Sequence, residues 1–178
     1  ITLSDDIVTD GEDINIDGAL VLSGTGGTIL ISSGTGAGGN IDFSSTIDAT
    51  GDADESLTIQ SGTGTTVIDS NIGATTAIQT FKINDAAGSG AITLSGNVGA
   101  DATTDGATNV TIGNTNTADV TFDGAEYVVD GALTVTSASG EKILFTGGAA
   151  TTVQTNQDAI QFNTGTIQLA ASTPLTIN

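Results

Sequence analysis

Apolar residues recur along this chain as short triplets of the form apolar-x-apolar, and they fall into two interleaved series. One starts with ITL at Ile1 and continues with LVL at Leu20, IDF at Ile41, VID at Val67, ITL at Ile92, VTF at Val120, ILF at Ile143 and IQL at Ile167. The other holds INI at Ile14, ILI at Ile29, LTI at Leu57, FKI at Phe81, VTI at Val110, LTV at Leu133, IQF at Ile160 and LTI at Leu175. Starts in the first series lie 19 to 28 residues apart, and a unit of about that length repeated along a chain marks a solenoid or array. Successive side chains of a strand point to opposite faces, so the first and third residues of each triplet are expected inside and the middle one in solvent.

Columns sharpen this expectation. The last residue of each second-series triplet reads Ile16, Ile31, Ile59, Ile83, Ile112, Val135, Phe162 and Ile177, a mostly β-branched ladder of the kind stacked strands favour. Middle residues are mostly Thr, Asn, Asp, Gln or Lys; Val21, Leu30, Ile68 and Leu144 are the exceptions. Asp69 stands where an inward residue is expected. Either the register shifts by one there, with Thr66 and Ile68 facing alike, or that corner is open. Connectors leading back to the second series often carry one more apolar spot (Ile7, Ile47, Ile72, Val98, Val128 or Val153), which suggests a third, weaker strand per turn.

The expected fold is an all-β parallel β-solenoid of about eight turns with two to three short strands each, roughly 40 Å long at the strand spacing of about 4.8 Å. A β-sandwich is the alternative. Residues 1–178 read as a single domain, in which 1–40 have tighter turns, suited to a cap or an assembly surface, and 41–178 are regular. Helix is disfavoured because Thr, Gly, Val, Ile, Asn and Asp dominate and apolar spacing of three and four is not sustained. With 25 Gly and 3% aromatics, the chain suits a thin core of small aliphatics. Phe43, Phe81, Phe122, Phe145 and Phe162 all fall at inward places.

Charge and missing residue types narrow the chemistry. The chain has no Cys, Met, Trp or His, and 21 acids stand against two bases, for a net charge of −19. Thiolate and imidazole metal sites are thereby excluded, and nucleic-acid binding is disfavoured because phosphate contacts need clustered Lys and Arg. No apolar run is long enough to span a bilayer, so membrane insertion is not expected. An opening Ile1 without Met or signal peptide is expected of a processed secreted protein or a piece of a longer chain.

From Gly39 to Val98 the string GGNIDFSSTIDATGDADESLTIQSGTGTTVIDSNIGATTAIQTFKINDAAGSGAITLSGNV resembles the degenerate repeats of filamentous-haemagglutinin-like bacterial surface proteins. DVTFDGAEYVVDGALTV, from Asp119 to Val135, is similar to a second copy. The resemblance covers about two thirds of the chain and implies a right-handed parallel β-helix in a secreted adhesin, stalk or matrix component. It transfers no receptor-binding residue.

Candidate sites follow from the acids and the ends. Asp10, Glu12 and Asp13 in the first turn, and Asp48, Asp52, Asp54 and Glu55 in one loop, form oxygen-rich clusters able to hold Ca²⁺, which takes six to eight oxygens; a solvated acidic face is the plainer reading. No cofactor is required. Ile1, Thr2 and Leu3 open the chain in a strand, and Leu175, Thr176 and Ile177 close it in one, so raw sheet edges are expected to stack copies of the chain head to tail. Asn109 opens an N-glycosylation sequon. Carboxylates such as Asp42 with Asp48, or Asp119 with Asp123, lack a basic partner, so catalysis on polysaccharides is a remote alternative and the chain is not expected to be an enzyme. Ice binding by an outward column of Thr58, Thr111, Thr134 and Thr176 is another remote alternative, and an isopeptide bond at Lys82 or Lys142 would need burial. The expected function is a structural subunit of an extracellular filament, sheath or matrix, whose partners are its own copies and also cell-surface or matrix glycans; a stalk segment of a large adhesin is the alternative.

Overall fold

The computed structural model describes all residues except 25, 52–53, 100–105, 149 and 171–173. Its first coil carries strands β1 (Thr2–Leu3), β2 (Ile7–Val8) and β3 (Ile14–Ile16), the second β4 (Leu20–Leu22), β5 (Thr28–Ser32) and β6 (Ile41–Phe43), and the third β7 (Ile47–Ala49), β8 (Ser56–Gln60) and β9 (Thr66–Ile68). The next two coils contribute β10 (Ile78–Ile83) and β11 (Ile92–Leu94), then β12 (Ala107–Ile112) and β13 (Val120–Phe122). Toward the C-terminal end come β14 (Glu126–Val129), β15 (Leu133–Phe145), β16 (Thr151–Thr155), β17 (Ile160–Leu169) and β18 (Leu175–Ile177). Among the described residues every element is a strand, and every strand pairing is parallel. The protein is a β-solenoid with three faces.

Face A is the ladder β2-β5-β8-β10-β12, continued by the first halves of β15 and β17. It stacks Ile7, Ile31, Ile59, Ile83, Ile112, Val135 and Phe162 in register. Face B runs β3-β6-β9-β11-β13 and then the second halves of β15 and β17, stacking Ile16, Phe43, Ile68, Leu94, Phe122, Phe145 and Leu169. Face C is thin. It joins β1, β4 and β7 through single bridges at Ile72 and Val98 to β14, β16 and β18, along a column Leu20, Ile47, Ile72, Val98, Tyr127, Val153 and Ile177. Ile1 lies at the foot of that column, its carbonyl accepting Val21 N–H at 2.8 Å.

Two sequence expectations need correction, and of the two outcomes offered at Val67 the structure has the register shift. ITL at Ile1, LVL at Leu20 and LTI at Leu175 lie on face C, whereas INI at Ile14 belongs with the first series on face B; isolated apolar triplets look alike, and only the neighbouring rung reveals the face. At Val67 the register shifts: Thr66 and Ile68 are buried and Val67 faces out. Thr66 tolerates the interior because its hydroxyl donates to Ser61 Oγ at 3.0 Å, and Ser61 in turn donates to the Gly64 carbonyl at 2.8 Å, so no polar group is left unpaired there. Phe162 is only half-buried, being in the last full coil, while Phe43, Phe81, Phe122 and Phe145 are fully enclosed.

Tyr127 is an unexpected core residue. It is 1% exposed, packs edge-on against Phe122 with ring centroids 4.7 Å apart, and satisfies its hydroxyl by accepting Gly124 N–H at 2.7 Å and donating to the Leu94 carbonyl at 3.1 Å. Burial pushes the phenol far above its ordinary titration range, so it stays neutral in the core.

Candidate functional site: corners and ends of the rod

Acids sit mainly at the corners, and many reach up to the next rung. Asp13 Oδ1 accepts Asn40 N–H at 2.6 Å, Asn40 Oδ1 accepts Thr65 N–H at 2.9 Å, and Asp119 Oδ1 accepts Lys142 N–H at 2.8 Å; all lie in the column that enters face B. Asn71 and Asn97 do the same at the entry to face C. At the exit from face B, acid and hydroxyl alternate rung by rung: Asp17, Ser44, Asp69, Ser95, Asp123, Thr146. Each hydroxyl donates to the acid below it, Ser44 to Asp17 at 3.2 Å, Ser95 to Asp69 at 3.2 Å and Thr146 to Asp123 at 2.9 Å. With strands about 4.8 Å apart, the alternation keeps two carboxylates from facing each other across one step.

Among the described residues no three acidic side chains converge on a metal position. Asp10, Glu12 and Asp54 are exposed, Asp13 holds Asn40, and Asp48 Oδ1 accepts Thr75 and Thr76 N–H at 2.9 and 3.3 Å. Asp52 lies outside the described residues. Glu55 is buried and ties its loop to the preceding coil, accepting Gly24 N–H at 3.2 Å and the Thr50 hydroxyl at 2.9 Å. Burial alone would raise its pKa, but these bonds and those from the Gly51 and Thr50 backbone outweigh it and hold the carboxyl below the ordinary value. Glu55 therefore stabilises the fold above its unfolded pKa, and that contribution is lost as pH falls through the folded one.

Asp42 has the opposite balance. Its Oδ1 is buried without a partner, and desolvation, then the charges of Asp69 and Asp17, raise its pKa. Ionised Asp42 thus costs the folded state more than the unfolded chain, a penalty that grows as pH rises from the unfolded to the folded pKa. We expect Asp42→Asn to raise Tm by a few degrees at pH 7 and to leave it unchanged at pH 3, where both states hold the proton; thermal melts followed by circular dichroism at the two pH values check this.

Other expected sites are placed as follows. Asn109 is exposed, with its Oδ1 accepting Ala132 N–H at 3.2 Å. Thr58, Thr111 and Thr134 share an outward column on face A with Leu30, Lys82 and Gln161, but Thr176 is on face C, so the expected Thr rank is shorter than four. Lys82 pairs at the surface with Asp85 at 2.9 Å and Lys142 is exposed, so neither amine has the burial an isopeptide bond needs. Asp42 and Asp48 project from different faces, B and C.

The two ends of the stack differ in kind. At the C-terminal end, Ile167, Leu169 and Ile177 are 46%, 45% and 49% exposed although they continue inward columns, and Ile160, Phe162 and Leu175 are half-buried beside them. No acid stands in β17 or β18. The N-terminal edge is blunter: β1 and β2 have two residues each, Asp5 stands at the foot of the inward column of Ile29, and Asp6 uses its side-chain Oδ1 to accept Leu30 N–H at 2.8 Å. Short strands and acids at inward places are devices that discourage edge-to-edge pairing. Of the expected assembly residues, Ile1, Thr2 and Leu3 all lie at the lower edge of face C, and Leu175, Thr176 and Ile177 at its upper edge.

Comparison with known proteins returned no matching family model, curated protein or solved structure.

Proposed function

We propose that this chain is a structural rod element of an extracellular fibre, sheath or matrix, and that copies stack head to tail along the solenoid axis. The observation that carries the reading is the open C-terminal coil, where inward columns end in half-exposed aliphatics and β17 offers a ten-residue edge. In register, the next copy would lay Ile7 over Phe162, Ile14 over Ile167 and Ile16 over Leu169, continuing each column with an apolar residue. Polarity follows from charge. The first coil holds Asp5, Asp6, Asp10, Glu12, Asp13 and Asp17, so two N-terminal ends repel while an N-terminal end meets a nearly uncharged C-terminal one. The extracellular setting is supported by the acid-rich, cysteine-free composition and by the likeness of Gly39–Val98 to filamentous-haemagglutinin-like repeats.

Electron microscopy and sedimentation of the purified chain test this. Filaments or a concentration-dependent ladder of rods are expected, and Leu169→Asp, which puts a charge on the joint at an already exposed position, is expected to leave single rods with an unchanged circular dichroism spectrum. Single rods at every concentration and salt would overturn the stacking and favour a stalk segment.

A further inference from the structure

The three faces do not hold the same number of rungs. Faces A and B each stack seven residues, Ile7 to Phe162 and Ile16 to Leu169, whereas face C has eight, Ile1, Leu20, Ile47, Ile72, Val98, Tyr127, Val153 and Ile177. The extra rung exists because β1 at the bottom and β18 at the top both belong to face C. If two copies join so that β2 and β3 of one sit on β17 of the other, β1 of the upper copy and β18 of the lower copy claim the same place.

We infer that the joint forms by strand exchange: β18 of one copy replaces β1 of the next against β4, while residues 1–6 of the recipient peel away. This rests on the head-to-tail reading above. Register supports it, since Ile177 is in the column of Ile1 and its carbonyl would take over the Val21 N–H that the Ile1 carbonyl now accepts. Displacement is undemanding, because β1 is a two-residue strand paired with β4 alone and Ile1 is 61% exposed. It also removes the second obstacle at the joint. Asp5, otherwise laid against Ile160, and Asp6 lie between β1 and β2, so the peel that vacates the duplicated rung withdraws both carboxylates from the contact, giving up the Asp6 bond to Leu30. Exchange of an end strand is an established route by which identical chains link, with main-chain bonds giving affinity and the side-chain pattern giving register.

The chain has no cysteine, so an engineered pair reads the contact directly. In the exchanged joint Thr176 of β18 lies beside Ala19, the residue before β4, both exposed, at a rung spacing that suits a disulfide; within one copy they are at opposite ends of the rod. Chains carrying Thr176→Cys are mixed with chains carrying Ala19→Cys, oxidised, and examined by non-reducing gel and peptide mass spectrometry. A disulfide between positions 176 and 19 at several-fold excess over the same mixture of Leu169→Asp chains is expected. Filaments in the microscope without that disulfide would overturn the exchange and leave stacking intact. Absence of both filaments and disulfide would overturn the stacking and the exchange with it.

Discussion

Phe122→Ala is expected to cost about 3–5 kcal/mol, the usual range for emptying a buried aromatic site, and to lower Tm by roughly 10 °C or more. Phe122 is 1% exposed, lies 5.1 Å from Phe145 in a near-parallel stack and 4.7 Å from Tyr127 at 80°, and Phe145 in turn meets Phe162 edge-on at 5.8 Å. These rings bring faces A, B and C into one contact at the C-terminal half of the rod. Backbone positions in a solenoid are fixed by rungs above and below, so the cavity cannot close by a local shift, and the cost belongs at the upper end of the range. Chemical denaturation followed by far-ultraviolet circular dichroism checks it. A loss below 1 kcal/mol would mean that the three faces do not share this cluster.

Gly90→Ala is the second large effect. A Cβ on Gly90 would overlap the carbonyl of Gly64 one rung below, and a Cβ on Gly64 would overlap the carbonyl of Gly39 below that. The corner that leads from face A to face B is therefore stacked with backbone directly over backbone. Relief requires one rung to slide, which strains the ladders on both sides, so we expect Gly90→Ala to destabilise by about 2–4 kcal/mol, as overpacking and strain do at their more severe. Gly148→Ala is the control, because nothing lies within 4 Å of its added Cβ, and it should fall within about 0.5 kcal/mol of the parent.

Much of this architecture is legible in the triplets from Ile29 to Ile167, where aliphatic residues at fixed offsets mark the inward columns and Ile59, Ile83 and Ile112 do pile one over the next. The first coil and the last strand are harder to place. ITL and LTI each satisfy a strand pattern on any face, and the correct face depends on pairing with residues some 20 positions away. Face C leaves little trace because at Ile72 and Val98 it narrows to a single inward residue. Tyr127 escaped because Glu126-Tyr-Val-Val breaks alternation, and three of its four residues are buried. The acids read differently for another reason: proximity in sequence suggests a shared metal, whereas Asp13, Asp48 and Glu55 each accept a backbone N–H from a neighbouring segment and Asp10, Glu12 and Asp54 are exposed. A sharper signal was present in the residue following each face B triplet, where Asp and Ser or Thr alternate.

That alternation bears on how such a molecule lengthens over generations. Copying in tandem a single coil that carries Asp17, Asp69 or Asp123 would set aspartate beside aspartate at the duplicated seam, an opposition worth of order 1–3 kcal/mol at this separation in a partly wet setting, whereas copying a coil that carries Ser44, Ser95 or Thr146 would not. Copying two coils together preserves the sequence of charge and hydroxyl across the seam. Growth of this rod without a charge penalty is thus open to pairs of windings or to single windings that bring a hydroxyl, and closed to single windings that bring an aspartate.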